Sequence, residues 1–305
     1  MFNIIIYVLI FLIILFLPYL IWRLKYQSSL NNFYPTLTYH KITDEFEWGI
    51  TRVKPKSFEQ QVKYLKDEGF SSLDLEELLE VSAGIVPPKT GQFPNERKEG
   101  NNKRIAITFD DGYESVYQNA FPVLKRYGFK AITFIITGYT GKENSWEAGF
   151  GRKFRHLSWE QILEMKESGF QFGSHTVNHP DLTRLNRKSL EYELKKSKEI
   201  IEDRLNQEIK FLSYPFGRHN QLVRTEVKNA GYKASFTLTS EISENPFAVG
   251  RKGVYLFDTP LSIKIKLSRS TGSKSGKGLF WIEEYKSWII NQFATGTVLV
   301  KKYKS

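Results

Sequence analysis

Two pairs of residues in this chain have the types and spacing to do chemistry. Asp110 and Asp111 end the run Ile105-Ala-Ile-Thr-Phe-Asp-Asp-Gly112, where an apolar stretch of β character meets two carboxylates and a glycine. Helical periodicity resumes at Ser115, so the unit reads strand, tight turn, helix. Side chains of neighbouring residues at a strand end diverge, so one carboxylate can hold a metal while the other acts as a base. The same residues also suit a helix cap, since an Asp ahead of a helix accepts from its orphan N–H groups. The second pair is His175 and His179, in Gly173-Ser-His-Thr-Val-Asn-His-Pro180, directly after another strand pattern. A spacing of four brings both imidazoles to one point if the backbone turns helically there. Two His and one Asp make the three protein ligands of an open zinc-type site, with a position left for water and substrate.

Two further strand ends carry polar or turn-forming residues. Ser213-Tyr-Pro-Phe-Gly-Arg218 can bring a backbone N–H and an aromatic wall beside such a site, or serve as an ordinary Pro-Gly turn. Tyr39-His40 presents a single imidazole.

These residues sit on a regular frame. Strand patterns run over Tyr34–His40, Arg104–Phe109, Ala131–Ile136, Phe170–Ser174, Lys210–Tyr214, Lys233–Thr237 and Val249–Tyr255. Helical patterns begin at Ser57 and cover Leu73–Val81, Glu114–Tyr127, Ser158–Ser168 (opening with a Ser-x-x-Gln capping box), Lys188–Leu205 and Asn220–Ala230. More helix follows at Leu261–Leu267 and Gly278–Ala294, and residues 82–103 and 138–156 are long loops. Strand alternating with helix means a parallel sheet clad in helices, and about seven strands favour a closed barrel. Functional residues then belong at the C-terminal strand ends.

The 305-residue chain is 41% hydrophobic and 15% aromatic, which fits a folded body of enzyme size and excludes wholesale disorder. It contains no Cys, which excludes disulfides and thiolate metal sites. The formal charge of +11 points to anionic surroundings, but the basic residues are scattered and no nucleic-acid motif accompanies them. Asn3–Trp22 is almost unbroken apolar sequence, long enough to span a bilayer and without the small-residue site of a cleaved signal peptide. We expect a retained transmembrane anchor over residues 1–24 and a linker over 25–33. The catalytic domain is expected over 34–256 and a helical extension over 257–305. Arg23 and Lys25 favour a cytoplasmic C-terminal side by charge, against the extracytoplasmic side that the function below requires.

Taken together the motifs resemble those of the NodB-homology polysaccharide deacetylases, carbohydrate esterase family 4, over roughly residues 34–256. Thr108-Phe-Asp-Asp-Gly112 resembles the first family motif and Ser174-His-Thr-Val-Asn-His179 the second. Tyr214-Pro-Phe-Gly217 resembles the third with departures: Ser213 stands near the place of a usual arginine, and Phe216 where tyrosine is frequent. No His follows His219, so the usual late Leu-His is missing. Instead Tyr39-His40 resembles the permuted branch that includes the biofilm poly-N-acetylglucosamine deacetylases, in which the early strand supplies that histidine.

The resemblance implies a distorted (β/α)7 barrel and a metal-dependent N-deacetylase. Asp111, His175 and His179 match the metal ligands, Asp110 the general base and His40 the general acid; Arg251 is the candidate for orienting the base. The cofactor is a divalent metal, zinc first among them. Tyr214, Pro215, Phe216 and Trp146 are candidate substrate contacts, with Phe150 and Phe154 as further loop aromatics. The implied partners are an N-acetylated polysaccharide, the membrane and a polysaccharide synthase or export complex, with no nucleic acid. An inactive glycan-binding scaffold is the alternative of another class; peptidoglycan, chitin oligomers or a lipid-linked glycan are alternative substrates.

Overall fold

A computed structural model of the chain describes residues 35–47, 49–74, 76–78, 103–144, 153–238 and 245–268. The expected anchor, the linker, Trp146, Phe150 and the tail beyond 268 lie outside the described residues. Among the described residues no helix is long and apolar enough to cross a membrane.

The first strand, β1 (Thr36–Tyr39), is followed by a short pair, β2 (Lys41–Ile42) and β3 (Arg52–Val53). Next come helix α1 (Pro55–Asp67), β4 (Phe70–Ser72) and the long β5 (Lys103–Phe109). Thereafter strand and helix alternate. Helix α2 (Phe121–Tyr127) leads to β6 (Ile132–Ile135), α3 (Trp159–Glu167) to β7 (Gln171–Ser174), and α4 (Arg187–Leu205) to β8 (Phe211–Ser213). Helix α5 (Gln221–Asn229) leads to β9 (Ala234–Thr237), β10 (Val249–Gly250) and β11 (Lys252–Gly253), and α6 (Pro260–Ser268) follows.

Every strand pairing is parallel, in the order β10-β9-β8-β7-β6-β5-β1-β11. The two ends of that order are halves of one stretch of chain. Val249 and Gly250 pair with Phe236 and Thr237 of β9, whereas Lys252 and Gly253 pair with Leu37 and Thr38 of β1. A seventh strand therefore closes the sheet into a barrel, and it changes partner at Arg251. The sequence pattern predicts one unbroken strand over Val249–Tyr255; the observed break is the point at which the ring is distorted.

Strand alternation sorts side chains into two cores. Ala106, Ile132, Phe134, Phe211, Ala234, Phe236 and Val249 share the small inner cluster. Leu37, Tyr39, Ile107, Phe109, Ile135, Phe172 and Leu212 belong to the larger layer beneath the helices. Tyr39 and Phe109 meet Phe58 of α1 at centroid distances of 5.2 and 6.0 Å, anchoring the residues just before His40 and Asp110. Ile263 and Leu267 of α6 join the same outer core, so this part of the expected extension is packed onto the barrel.

Local chemistry explains the helix boundaries. The Ser158/Gln161 capping box forms with both reciprocal bonds, and Asn186 and Asn220 cap α4 and α5. The helical pattern over Glu114–Tyr127 opens into a π-turn at Val116–Ala120. Pro122 has no N–H, and its ring crowds the carbonyl four residues back, which favours the wider turn before α2.

Candidate metal and acid–base centre

The strand register brings the candidate residues to one rim. Tyr39 pairs with Phe109, so His40 and Asp110 leave adjacent strands side by side, and the Asp110 N–H donates to the Tyr39 carbonyl at 2.9 Å. Ser174 pairs with Leu212, setting His175 beside Ser213, and Ser213 pairs with Phe236. Alternation along β5 directs Thr108 and Asp110 inward and Phe109 outward.

Four of the five non-glycine residues with positive φ among the described residues lie here: Asp111 (68°), Thr176 (71°), His179 (56°) and Phe216 (58°). Left-handed backbone costs energy for L-residues and persists only where surrounding contacts enforce it. At Asp111 the enforcing contact is His156, whose buried ring donates from Nδ1 to the Asp111 carbonyl at 2.8 Å. The segment 155–157 also runs antiparallel to 112–114, with Leu157 N–H on the Gly112 carbonyl at 2.8 Å. His156 has no sequence signature; it merely ends a long loop.

Asp111, His175 and His179 converge, their ligand atoms all within 4.8 Å of one another. His175 Nε2 is 3.3 Å and His179 Nε2 3.4 Å from Asp111 Oδ1. His175 donates its Nδ1–H to the Ser213 carbonyl at 2.8 Å, which turns an Nε2 lone pair toward Asp111. Burial alone raises a carboxyl pKa, but the histidines around Asp111, His175 foremost, hold it well below the usual range. Asp111 Oδ1 is buried and has no hydrogen-bond partner among the described residues. A buried anionic oxygen beside two imidazoles fits a divalent cation, and in a chain without Cys the N/O donor set suits zinc.

Asp110 has a different partner. Arg251, at the strand break, donates Nη1 to Oδ1 at 2.8 Å and Nη2 to Oδ2 at 2.7 Å, a bidentate pair with both residues almost fully buried. Its remaining bonds go to Thr108 Oγ1 (3.1 Å), Ser213 Oγ (2.7 Å) and the Thr237 carbonyl (3.4 Å). Phe134 and Phe236 flank the guanidinium at 5.3 and 5.6 Å. Phe134 reaches that place because residue 173 is glycine: a Cβ there would lie 2.6 Å from its ring. Burial pushes the Asp110 carboxyl up, yet the charge and hydrogen bonds of Arg251, together with His175 and His40, keep the group below its ordinary value. His40, half-buried on the adjacent strand, is near enough for its charge to lower both carboxylates.

Residues 97–235 match the family model described as polysaccharide deacetylase. Bacillus subtilis (strain 168) YxkH, a protein named as a polysaccharide deacetylase, is 32% identical over 203 residues; the match covers 67% of this chain and 63% of that protein. The solved structure of Streptococcus pyogenes deacetylase PplD in complex with acetate superposes with a TM-score of 0.63 at 28% identity, over 78% of this chain and 97% of that one. Residues 97–235 are thus similar to a polysaccharide deacetylase domain. A poly-beta-1,6-N-acetyl-D-glucosamine N-deacetylase of Staphylococcus aureus (strain MRSA252) is 29% identical, over 71% of this chain and 69% of that protein. The family match takes in both Asp-Asp and His-His pairs but stops short of Arg251 and begins after His40. The places of those two residues rest on strand register and hydrogen bonding.

Two expected substrate contacts need correction. Tyr214 is fully buried; its N–H donates to the Phe236 carbonyl at 3.0 Å, and its hydroxyl bonds the Phe247 carbonyl and Ser235. It is scaffold rather than a substrate or oxyanion contact. Pro215 is buried beside it and has no N–H to offer. Phe216 does face the centre, its ring 4.5 Å from that of His179. Phe154 is packed against Tyr113 and beneath Lys41, so it too is core.

Proposed function

We propose that this protein is a metal-dependent deacetylase that releases acetate from an N-acetylglucosamine-containing polysaccharide, with poly-N-acetylglucosamine as the first substrate to test. The observation that carries the reading is the Asp110–Arg251 bidentate pair beside the convergent Asp111, His175 and His179. The chain spans 63% of the YxkH length.

Asp111, His175 and His179 would hold the metal, with zinc the first choice. When bound, a divalent ion supplies Lewis-acid polarisation of the acetamide carbonyl and acidifies water. Asp110, kept ionised by Arg251, accepts a proton from the attacking water. Arg251 fixes both carboxylate oxygens so that the base is aimed before substrate arrives. His40, across the β1–β5 register, donates a proton to the departing glucosamine nitrogen, leaving acetate and a free amine. The ring of Phe216 forms an apolar wall against His179. Against the inactive-scaffold reading, Arg251 occupies both oxygens of Asp110 and Ser213 bonds the same carboxylate.

The apolar run Asn3–Trp22 makes the protein a single-pass membrane protein with its catalytic domain outside the cytoplasm, within reach of a polysaccharide synthase or export complex. Release of the chain from membranes by alkaline carbonate would remove the anchor. Resistance of the domain to protease added to spheroplasts would place it on the other side.

The test of function is acetate release by the full-length chain from poly-N-acetylglucosamine and chitin oligomers, after chelation and after zinc is restored. Zinc-restored release supports the reading. Release that is indifferent to chelation with no metal retained overturns the metal dependence, and no release from any polymer overturns the activity.

A further inference from the structure

The loop that carries both histidines is held by a residue from another element. Each N–H from Thr176 to His179 ends on a side-chain oxygen. Thr176 N–H donates to Ser174 Oγ (3.1 Å) and His179 N–H to Thr176 Oγ1 (3.0 Å). Val177 and Asn178 N–H both donate to one oxygen, Glu193 Oε2, at 2.8 and 3.0 Å. The Asn178 amide donates to Oε1 of the same carboxylate at 2.8 Å. Two of the loop's carbonyls are bound from the opposite side, Thr176 by Thr137 N–H (3.1 Å) and Val177 by Gly138 N–H (2.9 Å). Glycine is required at 138, since a Cβ would lie 2.6 Å from the Val177 carbonyl oxygen.

Glu193 lies mid-way along α4, only 6% exposed, and makes no ion pair with a Lys or Arg among the described residues. A buried carboxylate without a counter-cation is costly unless N–H groups satisfy it. Here the donors come from the segment between His175 and His179. The carboxylate and the loop therefore stabilise each other, and the loop is fixed with both Thr176 and His179 in left-handed backbone.

We infer that Glu193 is a positioning residue for the metal centre: it holds the Val177–Asn178 backbone so that His179 stays aimed at Asp111. The inference rests on the metal-dependent reading above. Without the carboxylate, the buried Val177 N–H and the neighbouring Asn178 N–H lose their acceptor and the strained turn relaxes, carrying His179 Nε2 away from its 3.4 Å approach to Asp111.

Zinc affinity of the purified full-length apo-protein, measured by competition with a chromophoric chelator, tests this alongside the unfolding temperature of each apo variant. Glu193→Ala and the shorter Glu193→Asp should weaken zinc binding by about 10–100-fold, the range for residues that orient ligands. Glu193→Gln keeps an acceptor oxygen for both backbone N–H groups, and Asn178 can turn its amide to match; its affinity should stay within about threefold of wild type. Glu226→Ala removes another buried helix carboxylate, paired with Arg187. It should lower the unfolding temperature and leave zinc affinity unchanged. If Glu193→Ala does not fold, the Asp and Gln variants decide. Folded Glu193→Asp that binds zinc as tightly as wild type overturns the inference, as does equal weakening by Glu226→Ala. Wild type that binds no zinc in the same assay overturns the metal-dependent reading instead.

Discussion

Asp110 and Asp111 are neighbours in sequence, buried to similar degrees, and have opposite surroundings. Asp110 faces a permanent cation that belongs to the protein, held by two short hydrogen bonds. Asp111 faces two imidazoles that can present lone pairs, and its own Oδ1 has no hydrogen-bond partner among the described residues. The difference teaches that burial alone does not assign a carboxylate its job. A carboxylate whose charge is already balanced is a poor place for a metal but a well-aimed, ionised base. One flanked by two imidazoles can share a metal cation with them. Ser213 touches both sides, with its hydroxyl on Asp110 and its carbonyl on His175.

The comparison can be broken at either side. The largest effect is expected at the metal side: His179→Ala should lose zinc on desalting and release no acetate. His40→Ala should keep full metal content while its turnover falls by about 10²–10⁴-fold, the usual contribution of a positioned acid. Metal analysis beside acetate release checks both, and equal metal loss in the two variants would remove the role given to His40.

Arg251→Met probes the other side. Breaking a buried ion pair by removing one partner costs about 3–5 kcal/mol, to be read from urea unfolding at pH 7. The sign of the pH effect follows from Asp110. Its folded pKa is depressed, so its stabilising contribution is present above the unfolded value, about 3.9, and is lost as pH falls through the folded value. Without Arg251, burial dominates and raises that pKa. The acid limb of kcat/KM should therefore move to higher pH in Arg251→Met; an unmoved limb would mean that Arg251 does not set the base. The smallest effect is expected at Ser213→Ala, which removes one hydrogen bond from Asp110. A loss of about 0.5–1.5 kcal/mol, roughly 2- to 12-fold in turnover, is expected with zinc affinity unchanged, because the Ser213 carbonyl stays in place.

Much of this was legible in the chain. Strand ends marked by Asp110-Asp111-Gly112 and His175-x-x-x-His179 announce their place at the rim because strand alternation and parallel crossovers are local consequences of pattern. The strand break at Arg251 was not legible, since a change of pairing partner leaves no mark in hydropathy; the apolar pattern simply continues. Tyr214 misled for a related reason. A tyrosine at a strand end reads as accessible, and only the β8–β9 register shows its N–H and hydroxyl both used inside. His156 and Glu193 act on backbone atoms of distant residues, and such contacts carry no spacing rule.

The most direct test of the division between the two aspartates is zinc content and acetate release measured on the same preparations of Asp110→Asn and Asp111→Asn. The account predicts that Asp110→Asn retains zinc and releases no acetate, whereas Asp111→Asn loses zinc. Equal zinc loss in both variants, or acetate release by Asp110→Asn at the wild-type rate, would contradict it.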